Sequence, residues 1–294
     1  MAPTTPHVVV FSDVDGVLLH PSPAAVARAK VALEQLTDES ASVVLCSLKT
    51  RAELEVLQQQ LGLRQPFVAE AGAAVFAPHG YFPQWPQPAK SVAGYDVIEF
   101  GRTYDEVARK LGQAAARSGV QIAAFSEMSV NEVARCCGLT VFDARLMKLR
   151  DYVELFTYRD TAPQAREALA RALESMRLAC TCRGSVEAVG AAVHPGSAVA
   201  ALRALYARHR ERVITIGMAD GFASPGHLDA MDAKVIVHDE PGVSGAIDAG
   251  DWAEAIVEAV DDIRLRAGMA GRTARVYFES GAGGGRPQRT LTRG

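Results

Sequence analysis

Short apolar runs alternate along this chain with longer segments in which apolar residues recur every three or four positions. The runs at 8–11, 43–46 and 213–216 are bounded by polar residues and indicate buried strands. The segment after the first run begins at Ser22 and Pro23, which are typical of a helix start, and then keeps helical spacing. Strands that alternate with helices in this way predict an α/β fold with a parallel sheet.

A change of pattern divides the chain into a core and an insertion. The segment 77–91 is rich in proline, so regular structure is disfavoured there and we expect a boundary. Residues 91–190 then have the pattern of a separate α/β unit, after which the first pattern resumes. We therefore expect a core built from 1–90 and 191–268, interrupted by an α/β cap. The Gly- and Arg-rich residues 269–294 predict a disordered tail.

The inserted unit has its own expected elements, which form a sheet with helices on one face. Tyr95–Phe100, Val120–Phe125 and Tyr152–Tyr158 are candidate strands. Ser129 and Glu132 have the spacing of a capping box, in which each residue bonds the backbone of the other, and they predict a helix start.

Two carboxylates follow directly on the first strand. Asp13 and Asp15 lie at its carboxyl end, the edge where open α/β sheets bind ligands. Charges this close repel each other unless a cation compensates them, and Mg²⁺ is commonly held by carboxylates together with phosphate and water. One carboxylate of such a pair can also attack phosphorus while the other acts as general acid and base. A solvated Asp-x-Asp-Gly turn is the alternative interpretation.

The second strand is followed by a hydroxyl and an ammonium group. Ser47 and Lys49 lie just before a helix that Thr50 and Glu53 begin with another capping box. Free amides and the helix dipole favour an anion at such a position, so these groups could hold a phosphate. A plain helix cap with a surface lysine is the alternative.

The third strand end adds another acid, because Asp220 follows the run at 213–216. The carboxyl ends of parallel strands meet at one edge of the sheet, so the three sets of polar groups are expected on one rim. This coincidence favours a metal-dependent phosphoryl-transfer site.

Composition narrows the class of protein. The chain has 294 residues, 49% hydrophobic and 22% charged, with a formal net charge of −3. This charge gives no electrostatic footprint for nucleic acid or an anionic membrane, and no apolar run approaches the roughly 20 residues of a membrane span. No secretory signal is indicated, so we expect a cytoplasmic protein without nucleic-acid or membrane partners. The five cysteines have no zinc-site spacing and are expected to be reduced thiols.

The motifs resemble those of the haloacid dehalogenase superfamily of phosphatases and, within it, the mannosyl-3-phosphoglycerate phosphatase family. FSDVDG resembles the nucleophile motif, LCSLKTRAEL the second motif and FVAEAGA the PFxxENGA segment. In the insertion, EMSVNEVARCCGL is similar to DMSVEEVAxxTGL, and ARLMKLRDYVELF is similar to ARLAxxREYxEPF. The resemblance covers roughly residues 8 to 265 and implies a Rossmann-like core with a cap.

This resemblance implies a role for each candidate residue. Asp13 would be the nucleophile, and Asp15 would protonate the leaving oxygen and then activate water. The phosphoryl group would be bound by Ser47 and Lys49. Asp13, Asp15 and Asp220 would hold Mg²⁺. Within the REYxEPF-like segment, Arg145, Arg150 and Glu154 would bind the substrate, a small glycosyl-3-phosphoglycerate, and an arginine there could pair with the glycerate carboxylate.

The later motifs depart from the family pattern. Pro195 stands where the third motif has a lysine, and Ser224 where the fourth has a second acid. The cations that could replace the lysine are Lys49, Arg51, Lys148 and Lys234. Three functions stay open: a phosphatase, a catalytically impaired relative that binds ligand or regulates, and a phosphotransferase or mutase. A monomer or a homodimer is expected.

Overall fold

The computed structural model describes most of the core and of the insertion. The described residues are 6–14, 17–18, 22–38, 41–86, 90–159, 163–183, 186–193, 196–219, 228, 231–236, 249–267, 275–279 and 288–292. Asp15, Pro195, Asp220 and Ser224 lie outside these residues.

The described residues form two sheets. The larger has ten strands in the order β14-β13-β12-β11-β1-β2-β3-β4-β6-β5. Its strands are β1 (His7–Asp13), β2 (Ala41–Cys46), β3 (Phe67–Ala69), β4 (Ala74–Pro78), β5 (Lys90–Val92), β6 (Tyr95–Glu99), β11 (Val213–Ala219), β12 (Ala233–Ile236), β13 (Arg275–Glu279) and β14 (Gln288–Thr292). The pairs from β12 through β1 to β3 are parallel, as the sequence predicted, and β13 adds a further parallel strand beside β12.

The helices confirm the expected α/β architecture. They are α1 (Pro23–Asp38), α2 (Arg51–Leu61), α3 (Tyr104–Ser118), α4 (Val130–Cys137), α5 (Val141–Met147), α6 (Pro163–Ser175), α7 (Gly196–His209) and α8 (Ala249–Ala267). Helices α1 and α8 pack with Val8 and Val10 of β1 in one apolar cluster. Helix α7 packs with Val9 and Phe11 in another cluster. Both faces of β1 are thus covered, which explains why its apolar run is continuous rather than alternating.

The smaller sheet belongs to the insertion and is antiparallel. Its order is β7-β8-β10-β9, with β7 (Ile122–Ala124), β8 (Glu154–Tyr158), β9 (Leu178–Arg183) and β10 (Val186–Ala191). Helices α3 and α6 pack on it through a separate cluster that includes Leu111, Phe156 and Leu169. A sheet covered by helices, with its own apolar core, agrees with the expected cap architecture. The predicted domain limits stay a prediction.

Both predicted capping boxes are present. At the start of α2, Glu53 N–H donates to Thr50 Oγ1 at 3.1 Å and Thr50 N–H donates to Glu53 Oε2 at 2.8 Å. The pair of Ser129 and Glu132 makes the same reciprocal bonds at the start of α4. Each capping box is made by two residues only three positions apart in the sequence.

Two segments differ from the sequence prediction. Tyr95–Glu99 was expected in the sheet of the insertion, but it pairs with β4 and extends the larger sheet. The Tyr95 ring packs edge-on against Phe67 and Phe76, with centroid distances of 5.3 and 6.2 Å, so the core covers part of its apolar surface. Where a disordered tail was expected, β13 pairs with β12 and β14 pairs with β13. These strands pair through backbone hydrogen bonds, so they form without the long apolar run that would have predicted them.

The run at 67–76 was predicted as a strand interrupted at residues 70–72, and the interruption is a tight turn. Strands β3 and β4 pair antiparallel, and a short 3-10 turn at Glu70–Gly72 joins them. Glu70 and Ala71 both have a positive φ, 50° and 57°. Residues with a Cβ disfavour this region, so the turn stores backbone strain.

We expect Ala71→Gly to raise the free energy of unfolding by about 1 kcal/mol, because glycine adopts positive φ without a steric penalty. Ala73, which has a φ of −68°, is a matched control next to the turn. Ala73→Gly should lower the stability by about 1 kcal/mol or more, since it adds freedom to the unfolded chain and also removes a buried methyl group. Urea denaturation of both variants measures the difference. Equal destabilisation by both substitutions would contradict the assignment of strain to residue 71.

A buried carboxylate holds the turn between β4 and β5. Asp96 accepts hydrogen bonds from His79 Nδ1 at 2.8 Å, from Gly80 N–H at 3.1 Å and from Ser91 Oγ at 3.1 Å. Burial by itself would raise the pKa of the Asp96 carboxyl, but these bonds and the charge of His79 together lower it below its usual value. A depressed pKa means that the ionised form stabilises the fold.

We expect Asp96→Asn to lower stability at pH 7 and to lose this effect in acid. Because the folded pKa lies below the unfolded one, the contribution of Asp96 is present above about pH 4 and disappears as the pH falls through the folded pKa. Urea titrations of the wild type and the variant between pH 7 and pH 3 measure it. A stability difference that stays constant over this range would disprove the ionic contribution.

Candidate active site

Two strands end side by side at one edge of the larger sheet. Asp13, the last residue of β1, pairs in register with Cys46, the last residue of β2, and Ser47 follows directly. On the other side of β1, Ser12 lies opposite Met218 of β11. Asp13 and Ser47 are both buried. The structure therefore brings this acid and this hydroxyl to the same edge, as the sequence predicted.

A tryptophan that the sequence analysis did not single out supports the backbone at Asp13 through hydrogen bonds. Trp252 of α8 is fully buried, and its Nε1–H donates to Ser12 Oγ at 2.9 Å. Ser12 Oγ in turn donates to the carbonyl oxygen of Asp13 at 2.9 Å. A lone tryptophan in an amphipathic helix gives no signal for this role, because the helix is far away in sequence.

A cysteine lies beside the candidate nucleophile. The Cys46 thiol is buried, and its pKa is raised well above the usual value, first by burial and then by the charge of Asp13. The thiol therefore stays protonated at neutral pH and does not compete as a nucleophile.

The loop Ser47–Lys49 is held by hydrogen bonds along its whole length. Ser47 Oγ accepts from Lys49 N–H at 2.9 Å, so the hydroxyl is folded over the start of α2. The carbonyl oxygens of Ser47 and Lys49 accept from the N–H groups of Ala71 and Glu70, at 2.9 and 3.1 Å. The Leu48 carbonyl accepts from the Arg150 guanidinium at 3.2 Å. The loop is thus fixed by the turn of the core and by a residue of the insertion.

Glu70 joins the core to the insertion and was not among the predicted site residues. Its side chain is 1% exposed, and its carboxylate accepts the N–H groups of Asp151, Tyr152 and Val153 at 2.8, 3.1 and 2.7 Å. Burial raises the pKa of Glu70, whereas Arg150 and the three N–H groups act against this shift. The available signal was a charged residue inside the apolar stretch FVAEAGAAVF.

A cavity of about 300 Å³ lies between α2 and the insertion. The core contributes Leu48, Lys49 and Glu53 to its wall. The insertion contributes Cys136, Cys137, Leu139, Met147, Arg150, Leu155 and Val186. The cavity therefore combines two cations with an apolar wall next to the Ser47 loop.

The three candidates from the insertion lie in different places. Arg150 lines the cavity, and its side chain is 3% exposed. Arg145 is exposed on α5. Glu154 is fully buried inside the insertion, where it accepts from the Tyr104 hydroxyl at 3.0 Å and from Leu155 N–H at 2.9 Å. Substrate contacts of all three residues stay a prediction.

Lys49 lies beside Ser47 and is the best placed of the four cations considered as replacements for the third-motif lysine. Its Nζ is 3.9 Å from Glu53 Oε1. Lys148 Nζ donates to the carbonyl oxygens of Phe125 and Met128, inside the insertion. The others also lie elsewhere: Arg51 pairs with Glu55 at 2.5 Å, and Lys234 is part of β12.

No three His, Cys, Asp or Glu side chains come together as metal ligands in the part of the chain that the structure describes. Two predicted ligands, Asp15 and Asp220, fall outside that part, and β11 ends at Ala219, directly before Asp220. The helices among the described residues include none that is both long and apolar enough to cross a membrane.

Known proteins share the motifs and the fold. A family of haloacid dehalogenase-like hydrolases matches residues 10–87, which contain both strand ends. A glucosyl-3-phosphoglycerate/mannosyl-3-phosphoglycerate phosphatase of Methanococcoides burtonii is 30% identical over 237 residues, which cover 80% of this chain and 86% of that protein. The chain belongs to the haloacid dehalogenase-like hydrolases.

A further relative supports the family, and a solved structure supports the fold. The mannosyl-3-phosphoglycerate phosphatase of Pyrococcus horikoshii is 30% identical over 149 residues, 50% of this chain and 58% of that protein. The crystal structure of a sucrose-phosphatase from Synechocystis has a TM-score of 0.51 and 15% identity, and the match covers 87% of this chain and 98% of that one. The motif resemblance and the fold class are confirmed, and the expected enzyme class, a phosphoric monoester hydrolase, agrees with the names of the Methanococcoides and Pyrococcus relatives.

We expect iodoacetamide to modify Cys136 in the native protein and Cys46 only after unfolding. Cys136 is exposed, whereas Cys46 is buried and its thiol pKa is raised. Alkylation depends on the thiolate, so the rates should differ by about 100-fold or more at pH 8. Peptide mass spectrometry of native and urea-unfolded samples measures both sites. Equal native rates would contradict the burial of Cys46 beside Asp13.

Proposed function

We propose that this protein is a Mg²⁺-dependent phosphatase that hydrolyses a glycosyl-3-phosphoglycerate through an aspartyl-phosphate on Asp13. The observation that carries the proposal is the pairing of the β1 and β2 strand ends, with buried Asp13 one position from Ser47 in the register. A nucleophile beside a phosphate-binding loop is the arrangement that phosphoryl transfer needs.

The chemistry divides between the two carboxylates of the first motif. An oxygen of Asp13 attacks phosphorus, the bond to the glycerate oxygen breaks, and Asp15 gives that oxygen a proton. Asp15 then takes a proton from water, and the hydroxide attacks phosphorus. Inorganic phosphate leaves, and the Asp13 carboxylate is restored.

The donor chemistry of the site fits Mg²⁺. Asp13 is a buried carboxylate at the strand edge, and Asp15 and Asp220 would supply further oxygen ligands, which Mg²⁺ prefers. When bound, the ion would neutralise negative charge on the phosphoryl group. Ser47 and Lys49 would hold the phosphoryl oxygens through a hydroxyl and an ammonium group.

The cavity suggests which phosphomonoester is used. The substrate class carries a carboxylate a few bonds from its phosphate, and Arg150 lines the cavity that begins at Lys49. A guanidinium group suits a carboxylate because it can donate two parallel hydrogen bonds. The names of the relatives, glucosyl- and mannosyl-3-phosphoglycerate phosphatase, support the same substrate.

A catalytically impaired relative is the second candidate, and the motif changes favour it. Pro195 supplies no cation and Ser224 no strong ligand. The loss of one charge-stabilising donor typically lowers the rate about 10²- to 10³-fold. Lys49 would compensate in part. The cytoplasmic location, the oligomeric state and a phosphotransferase or mutase activity stay predictions.

We expect Asp13→Asn to lower the rate of phosphate release from glucosyl- and mannosyl-3-phosphoglycerate in the presence of Mg²⁺ by about 10⁴-fold or more. The reason is that an amide cannot serve as the nucleophile. Asp96→Asn is the matched control, because it neutralises another buried carboxylate with three hydrogen-bond partners. It should keep its activity per folded molecule.

Phosphate release measures hydrolysis, and product analysis with an added acceptor sugar detects phosphate transfer. A folded wild type that binds these substrates and releases no phosphate would establish the impaired relative. Transfer of phosphate to the acceptor would instead establish a phosphotransferase.

A further inference from the structure

One turn of the core holds the candidate phosphate loop. The N–H groups of Glu70 and Ala71 donate to the carbonyl oxygens of Lys49 and Ser47 at 3.1 and 2.9 Å. Both turn residues have a positive φ, so two successive N–H groups are presented to the loop. The loop therefore depends on a strained turn that is distant in sequence.

The side chain of the same turn residue holds the insertion. The Glu70 carboxylate accepts three consecutive backbone N–H groups, those of residues 151–153, at 2.7 to 3.1 Å. The neighbouring residue, Arg150, places its guanidinium 3.9 Å from Glu70 Oε2 and donates to the Leu48 carbonyl at 3.2 Å. Glu70 thus meets both the loop at 47–49 and the segment 150–153.

Burying a carboxylate costs desolvation free energy, which a purely structural contact between apolar groups would avoid. With 1% of its side chain exposed, Glu70 has lost its water, and its partners compensate for this loss only while the geometry is kept. A small displacement of the segment would leave a buried charge with incomplete hydrogen bonds. The contact therefore favours one relative position of loop and segment over all others.

We propose that Glu70 is a positioning residue that sets the distance between the phosphate-binding groups, Ser47 and Lys49, and Arg150 of the insertion. The proposal rests on the proposed function, in which those groups bind the phosphate and the carboxylate of one small substrate. Because phosphate and carboxylate are only a few bonds apart, both can be bound at once only if that distance is held. Glu70 therefore determines selectivity for phosphomonoesters that carry a carboxylate.

The first test compares two substrates that differ in the carboxylate alone, glucosyl-3-phosphoglycerate and glucosylglycerol 3-phosphate. Glu70→Gln keeps the size of the side chain but removes the charge and one acceptor. We expect it to lower the ratio of kcat/KM for the two substrates by about tenfold, through a raised KM for the carboxylate substrate. In an Arg150→Gln background, Glu70→Gln should lower the ratio no further.

The control separates positioning from a loss of stability. Leu169→Ala opens a cavity in the core of the insertion, away from this contact, and should destabilise the fold without changing the ratio. A ratio that is unchanged in Glu70→Gln, or that falls equally in Leu169→Ala, would overturn the proposal. If Glu70→Gln does not fold, Glu70→Asp, which keeps the charge with a shorter reach, is measured in its place.

A second readout needs no turnover. Hydrogen exchange followed by mass spectrometry should be faster in Glu70→Gln than in the wild type for peptides at 150–156 and also at 47–54. In Leu169→Ala neither peptide should change. If the wild type hydrolyses neither substrate, the proposed function fails. Hydrogen exchange alone then tests whether Glu70 positions the loop and the insertion segment. Faster exchange at 150–156 without any change at 47–54 would then overturn it.

Discussion

The buried carboxylate of Glu70 is the contact on which the arrangement of the candidate site depends. It is almost completely removed from water, and three consecutive backbone N–H groups of the insertion together with Arg150 compensate for that burial. In a low-dielectric environment, the loss of any one of these hydrogen bonds costs much free energy. The contact therefore specifies one geometry. Because the backbone of the same residue holds the loop after β2, a single turn connects the sheet edge that carries Asp13 to the cavity wall.

The parallel register of the central strands places Asp13 in the candidate site. β1 lies between β2 and β11, and apolar clusters on both of its faces hold it in register. A slip of one residue would turn Asp13 to the opposite side of the sheet. Trp252 adds a hydrogen bond to Ser12, whose hydroxyl bonds the Asp13 carbonyl. The candidate nucleophile is thus positioned by packing that lies far from it in sequence.

The chain belongs to the haloacid dehalogenase-like hydrolases, and its later motifs depart from the pattern of that family. Pro195 and Ser224 remove a cation and an acid that the family pattern contains. Lys49 remains beside Ser47 and lines the cavity with Arg150, so positive charge is kept next to the loop.

Local sequence determined the features that depend on near neighbours. The capping boxes at Thr50 and Ser129, the continuous apolar run of β1 and the acid at its end all follow from residues a few positions apart, so the sequence alone predicted them. Only the tertiary structure decided that Tyr95–Glu99 joins the larger sheet, that Glu154 lies inside the insertion and that Glu70 meets residues 151–153. These contacts join residues far apart in the chain, and their energy comes from burial and hydrogen-bond geometry that no local pattern encodes.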